Sequence, residues 1–481
     1  MNVFMLIVCI VMTVMILLGS FYFLVYFSSE EDRNVAYFPK VIVVLGLTLV
    51  CLTVLMLPLD VANRQSDGGF DMEALWNAVY IAQGLFAIIL IPSTLFYYEA
   101  EDPEAREAQC WTALKFEVST VVIVTTIYVI FWLLWGMAEI PIEDFTANVT
   151  LVPLEQIVDC TDLAQRVFCS DDPQDATVRL KSTPIVYFMA IVAFFGWFFL
   201  VLFVGIGLAA LPMDLLMEFT TRPQSIDLQE YAKQKMLLNE RSQKLIEVGK
   251  KLGTDAHRSK DRRVRTTYNK FKQAVFFLEK DWERVKIAYK ERGGNPIRYF
   301  FQCVCGLVSV GLSIMWLLHL LVYVFITPPP TLFLNSLFIE LDDIFPLFGV
   351  LAYGLFAFYL LFCLLKGNMK FGVRFFCIPI HPMRVGATLI NSMLFNVWLL
   401  QLCSFSLIQF CWTAFRSYAR FTSADLIFGQ QVHYLQGLSW FFRHNIFLYA
   451  LVLMVLSTML YLCVWPTDKR ALEDEDEGLM M

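Results

Sequence analysis

The chain has 481 residues, of which 58 % are apolar and only 17 % are charged, with a formal net charge of −7. Soluble proteins are about 45–50 % apolar and about 25 % charged. The charges concentrate in a few segments between long uncharged runs. This composition excludes an ordinary soluble enzyme or nucleic-acid-binding domain and favours membrane spans joined by loops.

Nine apolar runs are each long enough to cross a hydrocarbon core of about 30 Å as a helix. They occupy residues 3–27, 38–58, 76–98, 114–137, 184–215, 298–326, 344–365, 386–415 and 444–465. None shows the strict alternation of barrel strands. The sequence therefore predicts an all-α polytopic membrane protein, with helices 1–5 in residues 1–215 and helices 6–9 in residues 298–466.

The distribution of Lys and Arg predicts the orientation, because these residues accumulate in cytosolic loops. The segment 216–297 has 19 Lys and Arg against 11 Asp and Glu, whereas the loop 327–343 has no Lys or Arg. Three arginines in 416–443 run mildly against the rule. The asymmetry places the N-terminus outside the cytosol and the acidic tail 467–481 inside it.

In this topology, residues 138–183 form an outer loop. Cys160 and Cys169 are the only two of the twelve cysteines in an outer loop, where oxidation is possible, and we predict that they form a disulfide. Asn148 begins an Asn-Val-Thr glycosylation sequon, although it lies about a dozen residues after the preceding span. No Cys/His spacing indicates a metal site, and no motif indicates a cofactor.

The segment 216–297 is the only sizeable part outside the predicted spans. Its second half repeats apolar residues in steps of four and three, the 3.5-residue period of a coiled-coil seam. The pattern indicates a cytosolic coiled-coil hairpin; two amphipathic helices lying on other cytosolic loops are the alternative. The predicted seam residues are Val264, Tyr268, Phe271, Val275, Leu278, Trp282, Val285 and Tyr289.

The eighth span is unusually polar, and its amides do not fall on one stripe at about 100° per residue. Such a helix belongs among other helices, where interhelical hydrogen bonds satisfy the amides. A role in lining a ligand cavity is the alternative. Together with a histidine of the sixth span, the predicted polar membrane core contains Asn391, Asn396, Gln401, Gln409 and His319.

Lys366, Lys370 and Arg374 recur every four residues beside phenylalanines. This spacing is typical of an interfacial helix whose cations snorkel to lipid headgroups, so we predict contact with anionic lipid; an ordinary solvated loop is the alternative. No Ser/His/Asp set or Gly-rich phosphate loop indicates an enzyme. Two function classes fit: a receptor or escort protein that binds a ligand or another membrane protein, and a transporter or lipid-handling protein.

Several strings carry a family resemblance: IHPMRVGATL at 380–389, LFNV at 394–397 and LPLDVANR at 57–64. They resemble the lipocalin-interacting-membrane-receptor (LIMR) family over nearly the whole chain. The resemblance implies nine spans, an outside N-terminus and a large cytosolic loop.

Family members include a lipocalin receptor and a lysosomal cobalamin escort protein that works with an ABC transporter. This chain looks closer to the plant and protist members, whose roles are not settled. We predict an endosomal, lysosomal or plasma-membrane location. The expected partners are membrane lipids, another membrane protein and a small ligand, with no nucleic acid.

Overall fold

The computed structural model describes residues 3–29, 37–65, 69, 71–99, 109–144, 174–252, 262–326, 328–371, 374–375, 378–379, 383, 386 and 388–464. Among these residues, nine helices are long and apolar enough to cross a membrane. They are Ile7–Phe27, Tyr37–Arg64, Met72–Tyr98, Gln109–Trp135, Pro184–Thr220, Pro296–Val324, Phe348–Lys370, Ile390–Ala414 and Ile446–Val464. The prediction of an all-α polytopic membrane protein is confirmed.

Two of these spans are composite, because an α-helix continues into a π-helical turn. The turns cover Phe86–Leu90 in the third span and Leu320–Val324 in the sixth, and each inserts an extra residue that re-phases the side chains after it. The α-helices within the described residues are α1 (Val3–Phe27), α2 (Tyr37–Gln65), α3 (Met72–Leu85), α4 (Ile91–Glu99), α5 (Gln109–Trp135), α6 (Pro184–Thr220), α7 (Leu228–Leu252), α8 (Arg262–Lys290), α9 (Pro296–His319), α10 (Leu334–Ile344), α11 (Phe348–Phe371), α12 (Ile390–Ala414), α13 (Ser439–Arg443) and α14 (Ile446–Val464).

The chain divides into two units. The first comprises Met1–Leu208 and Ile314–Val455, and the second comprises Ala209–Ser313 and Leu456–Met481. In the first unit, α12 packs against α2, α4 and α11, while α4 packs against α5. Small residues let membrane helices approach closely, and the Gly207 Cα of α6 has no room for a Cβ against the carbonyl of α11.

In the second unit, α7 and α8 form an antiparallel helical hairpin. The rings of Tyr231 and Tyr289 stack with their centroids 4.2 Å apart, near the start of α7 and the end of α8. The ring of Phe271 covers Gly249, near the end of α7 and the start of α8. The start of α7 therefore meets the end of α8, and the end of α7 meets the start of α8, so the two helices are antiparallel.

The segment between α5 and α6 begins and ends in β-strands, which the sequence did not predict. Strand β1 (Met137–Asp144) pairs antiparallel with β2 (Gln174–Lys181). The Glu139 N–H of β1 donates to the Tyr434 carbonyl at 3.0 Å. The strand pair β1–β2 therefore contacts the segment that follows α12.

Candidate functional site

The polar helix α12 is the most enclosed of the nine candidate spans within the described residues. In its most apolar stretch of 18 residues, 83 % of the residues are buried. Gln401 is fully buried, and its Nε2 donates to the Gly46 carbonyl of α2 at 2.7 Å. Ser406 donates to the Ala193 carbonyl of α6 at 2.8 Å. Polar side chains of α12 thus bond to two neighbouring helices.

The other predicted polar residues of α12 have different surroundings. Gln409 accepts a hydrogen bond from the Trp197 indole of α6 at 2.8 Å. The amide nitrogen of Asn396 donates at 2.7 Å to a carbonyl one turn earlier in α12. Asn391 is half-buried, and its Oδ1 has no hydrogen-bond partner among the described residues. Among the predicted amides of α12, Gln401 and Gln409 therefore bond to neighbouring helices.

Gln83 of α3 is a central member of this cluster that sequence reasoning missed. Its Nε2 donates at 2.8 Å both to the Thr53 hydroxyl of α2 and to the Ser404 hydroxyl of α12. One side chain thereby joins three helices. The available signal was that Gln83 is one of only two amides, with Asn77, in the largely apolar third span.

His319 is fully buried, as is Asn335 of α10. The Nε2 of His319 lies 2.7 Å from the carbonyl of Ala414, the last residue of α12. Its ring stacks on Phe415 with the centroids 5.0 Å apart, and Nδ1 has no hydrogen-bond partner among the described residues. Asn335 accepts from the Tyr418 N–H at 3.1 Å. Both residues fix the chain where α12 ends.

Asp60 of α2 binds the chain shortly after the end of α12. Its carboxylate is buried and accepts from the Trp76 indole at 3.0 Å and from the backbone N–H groups of Ser423 and Ala424 at 3.3 and 2.8 Å. Three donors replace the water that a carboxylate loses on burial. The bonds tie α2 and α3 to the segment preceding the π-helical stretch that starts at Asp425.

The predicted seam of α8 is only partly enclosed. Val285 is buried, but Trp282, which the 3.5-residue repeat placed against α7, is 38 % exposed. Tyr289 is exposed to a similar extent, although one face stacks on Tyr231. Two alanines, Ala274 and Ala288, are buried instead. Small side chains allow the helices to approach, and a pattern of large apolar residues does not reveal them.

The remaining seam residues add little enclosure. Half-buried positions are Phe271, Val275 and Leu278. The side chains of Val264 and Tyr268 lie outside the described residues, although α8 includes their backbone. The structure therefore contains an antiparallel hairpin, and a regular coiled-coil seam stays a prediction.

The remaining predicted sites are only partly covered by the described residues. Asn148, Cys160, Cys169 and the tail 467–481 lie outside the described residues. Lys366 is half-buried and Lys370 is exposed, both near the end of α11. The side chain of Arg374 lies outside the described residues. Its backbone belongs to the two-residue strand β3 (Arg374–Phe375), which pairs with β4 (Ile378–Pro379), so Arg374 does not continue the helix of the two lysines as the four-residue spacing predicted. Anionic-lipid contact stays a prediction.

Within the part of the chain that the structure describes, no group of three or more His, Cys, Asp or Glu side chains could hold a metal ion. Nine apolar helices, with a hydrogen-bonded polar helix enclosed among its neighbours, define a polytopic helical membrane protein. The profile of the LMBR1-like membrane protein family matches residues 5–276 and 259–464. The chain belongs to this family, also named the LIMR family, which is not a known enzyme family.

Relatives agree along nearly the full length. A LIMR family protein of Dictyostelium discoideum is 37 % identical, with 98 % of this chain and 99 % of the relative covered. One from Oryza sativa subsp. japonica is 32 % identical, with 98 % and 97 % covered. One from Arabidopsis thaliana is 31 % identical, with 96 % of each chain covered. No solved structure matches.

Proposed function

We propose that this chain is a non-enzymatic membrane receptor or escort protein that binds a ligand or another membrane protein. In this proposal the N-terminus faces outside, the α7–α8 hairpin is cytosolic, and the protein resides in the endosomal, lysosomal or plasma membrane. The excess of Lys and Arg in 216–297 supports this orientation.

The carrying observation is the set of exposed apolar side chains on the hairpin. Met236 is 74 % exposed and Leu237 is 55 % exposed, on a helix outside the candidate spans. Neighbouring apolar side chains that are exposed to water commonly mark protein interaction sites. The hydrogen bonds of α12 support the same proposal, because they commit its amides to neighbouring helices.

Affinity purification in mild detergent tests the proposal. We expect a membrane protein to co-purify with the wild-type chain and to be lost with the double variant Met236→Ser/Leu237→Ser. Asn239→Ser, an exposed polar position on the same helix, is the matched control and should retain the partner. Equal recovery with the double variant would refute binding through the hairpin.

Selective permeabilisation tests the orientation separately. An epitope tag within 216–297 should be inaccessible in intact cells and should become accessible once the plasma membrane alone is permeabilised. A tag that is accessible from outside would refute the proposed topology without bearing on the hairpin contacts.

A transporter or lipid-handling function is the second candidate, supported by buried polar atoms near α12. Gln83 Oε1, Gln401 Oε1 and the Tyr80 hydroxyl are buried without a hydrogen-bond partner among the described residues. A passing polar ligand could satisfy them. This function predicts that Tyr80→Phe, which removes only an unpartnered hydroxyl, abolishes a ligand-induced rise in melting temperature while leaving the melting temperature without ligand nearly unchanged.

A further inference from the structure

A cavity of about 510 Å³ lies where α2 begins, α4 ends and α5 begins. This volume falls in the range of about 300–1,000 Å³ that is usual for small-molecule sites. Its wall is largely apolar and aromatic. The side chains that matter below are Tyr37, Phe38, Tyr97, Tyr98, Leu114 and Glu117.

Glu117 gives the cavity its charge. The residue is only 7 % exposed, and neither carboxylate oxygen has a hydrogen-bond partner among the described residues. Burying a carboxylate without a partner is costly. A cationic ligand would supply the missing partner.

The nearest lysines of α2 and α5 contact aromatic rings. The ammonium of Lys40 lies 5.5 Å from the Tyr37 ring centroid, and that of Lys115 lies 5.7 Å from the Trp111 ring centroid. Tyr37 lines the cavity, so at least one ring of its wall accepts an ammonium group.

The lining aromatic side chains suit an ammonium group. Tyr97 and Tyr98 both line the cavity, and their rings are nearly perpendicular, at 84°, with their centroids 5.6 Å apart. Aromatic faces attract cations, and several rings together recognise quaternary ammonium groups such as choline. The geometry therefore favours an organic cation with a bulky, weakly hydrated head.

The hydrophilic groups of the wall do not suit an anion. The hydroxyls of Ser93 and Thr94 donate back to the Leu90 carbonyl of their own helix, at 3.2 and 2.6 Å. Among the described residues that line the cavity there is no Lys, Arg or His. A phosphate or carboxylate would find no charged donor there, while Glu117 would repel it.

The surroundings indicate that the cation belongs to a lipid. Tyr37 and Phe38 are exposed at the start of a candidate span, a position typical of side chains at the headgroup level. Leu114 and Phe116 expose an apolar surface on α5 next to the cavity, against which acyl chains can lie.

We propose that this cavity binds the ammonium headgroup of a zwitterionic membrane lipid, with phosphatidylcholine as the representative. Glu117 pairs with the ammonium group, the tyrosine rings enclose it, and the lipid chains extend along α5. The site is independent of the receptor or escort function, since it shares no residue with the α7–α8 hairpin.

Native mass spectrometry of the full chain, purified in a maltoside detergent, tests the site. The protein is incubated with equimolar dioleoyl phosphatidylcholine and dioleoyl phosphatidylglycerol, which share the same acyl chains. We expect retained phosphatidylcholine to exceed phosphatidylglycerol by about tenfold, the preference that a desolvated cation–π contact and one ion pair can supply. Equal retention of the two lipids would overturn the proposal.

Two variants assign the preference to the cavity. Glu117→Gln keeps the side-chain shape and should abolish the preference, whereas Glu73→Gln removes an exposed carboxylate of α3 and should leave it intact. Tyr97→Leu should reduce the preference and Tyr97→Phe should restore it, because the phenylalanine keeps the ring. An unchanged preference in Glu117→Gln would overturn the proposal.

Free choline separates a lipid site from a site for a soluble cation. Choline at a concentration equal to that of the lipid should not displace phosphatidylcholine, because it lacks the acyl chains that lie on α5. Displacement at that concentration would refute the assignment to a lipid.

Discussion

The spans α12 and α5 are similar in length, at 25 and 27 residues, but α12 is buried among other helices and α5 is not. In the most apolar 18-residue stretch of each span, 83 % of the residues are buried in α12 and none are buried in α5. Amides and hydroxyls lie all around α12, while the buried residues of α5 are Ala113 and Glu117 near its start. Each polar group left unsatisfied in hydrocarbon costs several kcal/mol. The amides of α12 therefore favour its enclosure by other helices, whereas a hydroxyl of α5 such as that of Thr126 bonds within its own helix.

The close contact between α2 and α12 should give the largest effect. A Cβ at Gly46 would lie 2.8 Å from Cγ1 of Val397, so Gly46→Leu forces the two helices apart. We expect a cost of about 3 kcal/mol or more, as overpacked cores can show. Size-exclusion chromatography should reveal little monodisperse protein.

Gly19→Leu is the matched control. Gly19 is an exposed residue of α1, and a Cβ there would meet nothing within 4 Å. This variant should elute as the wild type does. Equal behaviour of the two leucine variants would contradict the tight enclosure of α12.

Removing one interhelical hydrogen bond should have a smaller effect. Gln401→Leu deletes the donor to the Gly46 carbonyl, and we expect a loss of about 0.5–2 kcal/mol, the span of values found for such bonds in membranes. Thr126→Val on α5 is the counterpart, because that exposed hydroxyl bonds only within its own helix, to Val122. Its melting temperature in detergent should stay within error of the wild type.

A reversed order of melting temperatures, with Thr126→Val below Gln401→Leu, would break the contrast between the two spans. An unchanged melting temperature in Gln401→Leu would instead favour the transporter candidate, in which the amide serves a ligand.

The enclosure of α12 could be predicted from sequence because Asn396, Gln401 and Gln409 do not share one stripe. The atoms that they bond to could not. The acceptor for Gln401 is a backbone carbonyl, that of Gly46, which carries no sequence signal. Gln83 lies more than 300 positions from Ser404 in the chain, so only the folded arrangement brings their side chains together.

The strand pair β1–β2 and the π-helical turns were also missed. The strand pair depends on contacts distant in sequence, such as the bond between Glu139 and Tyr434. A π-helical turn is local, but it replaces α-helical hydrogen bonds by i→i+5 bonds inside an unbroken apolar run, so the apolar pattern does not reveal it. In the hairpin, the repeat predicted two long helices but not the burial of Ala274 and Ala288, which carry little hydrophobic signal. Patterns of large side chains predict elements better than they predict the faces that pack.

The smallest expected effect is on the pH dependence of stability, to which the segments that follow α12 and α5 should contribute differently. After α12, His433 is half-buried, and burial together with Arg416 and Arg443 lowers its pKa from 6.5 to about 4. After α5, Glu139 pairs with Arg179 at 3.1 Å on an exposed surface, where such pairs contribute little. The titration should therefore come from the segment that follows α12.

The sign follows from the lowered pKa of His433. Below its ordinary pKa of 6.5, the unfolded chain takes up a proton that the folded chain accepts only near pH 4, so stability falls as the pH falls through this window. With solvent screening at this half-buried position, we expect the wild type to lose about 1 kcal/mol more than His433→Gln between about pH 7 and about pH 5. Melting temperatures in detergent measure the difference, and parallel pH curves for the two proteins would show that His433 is protonated as readily in the folded as in the unfolded chain.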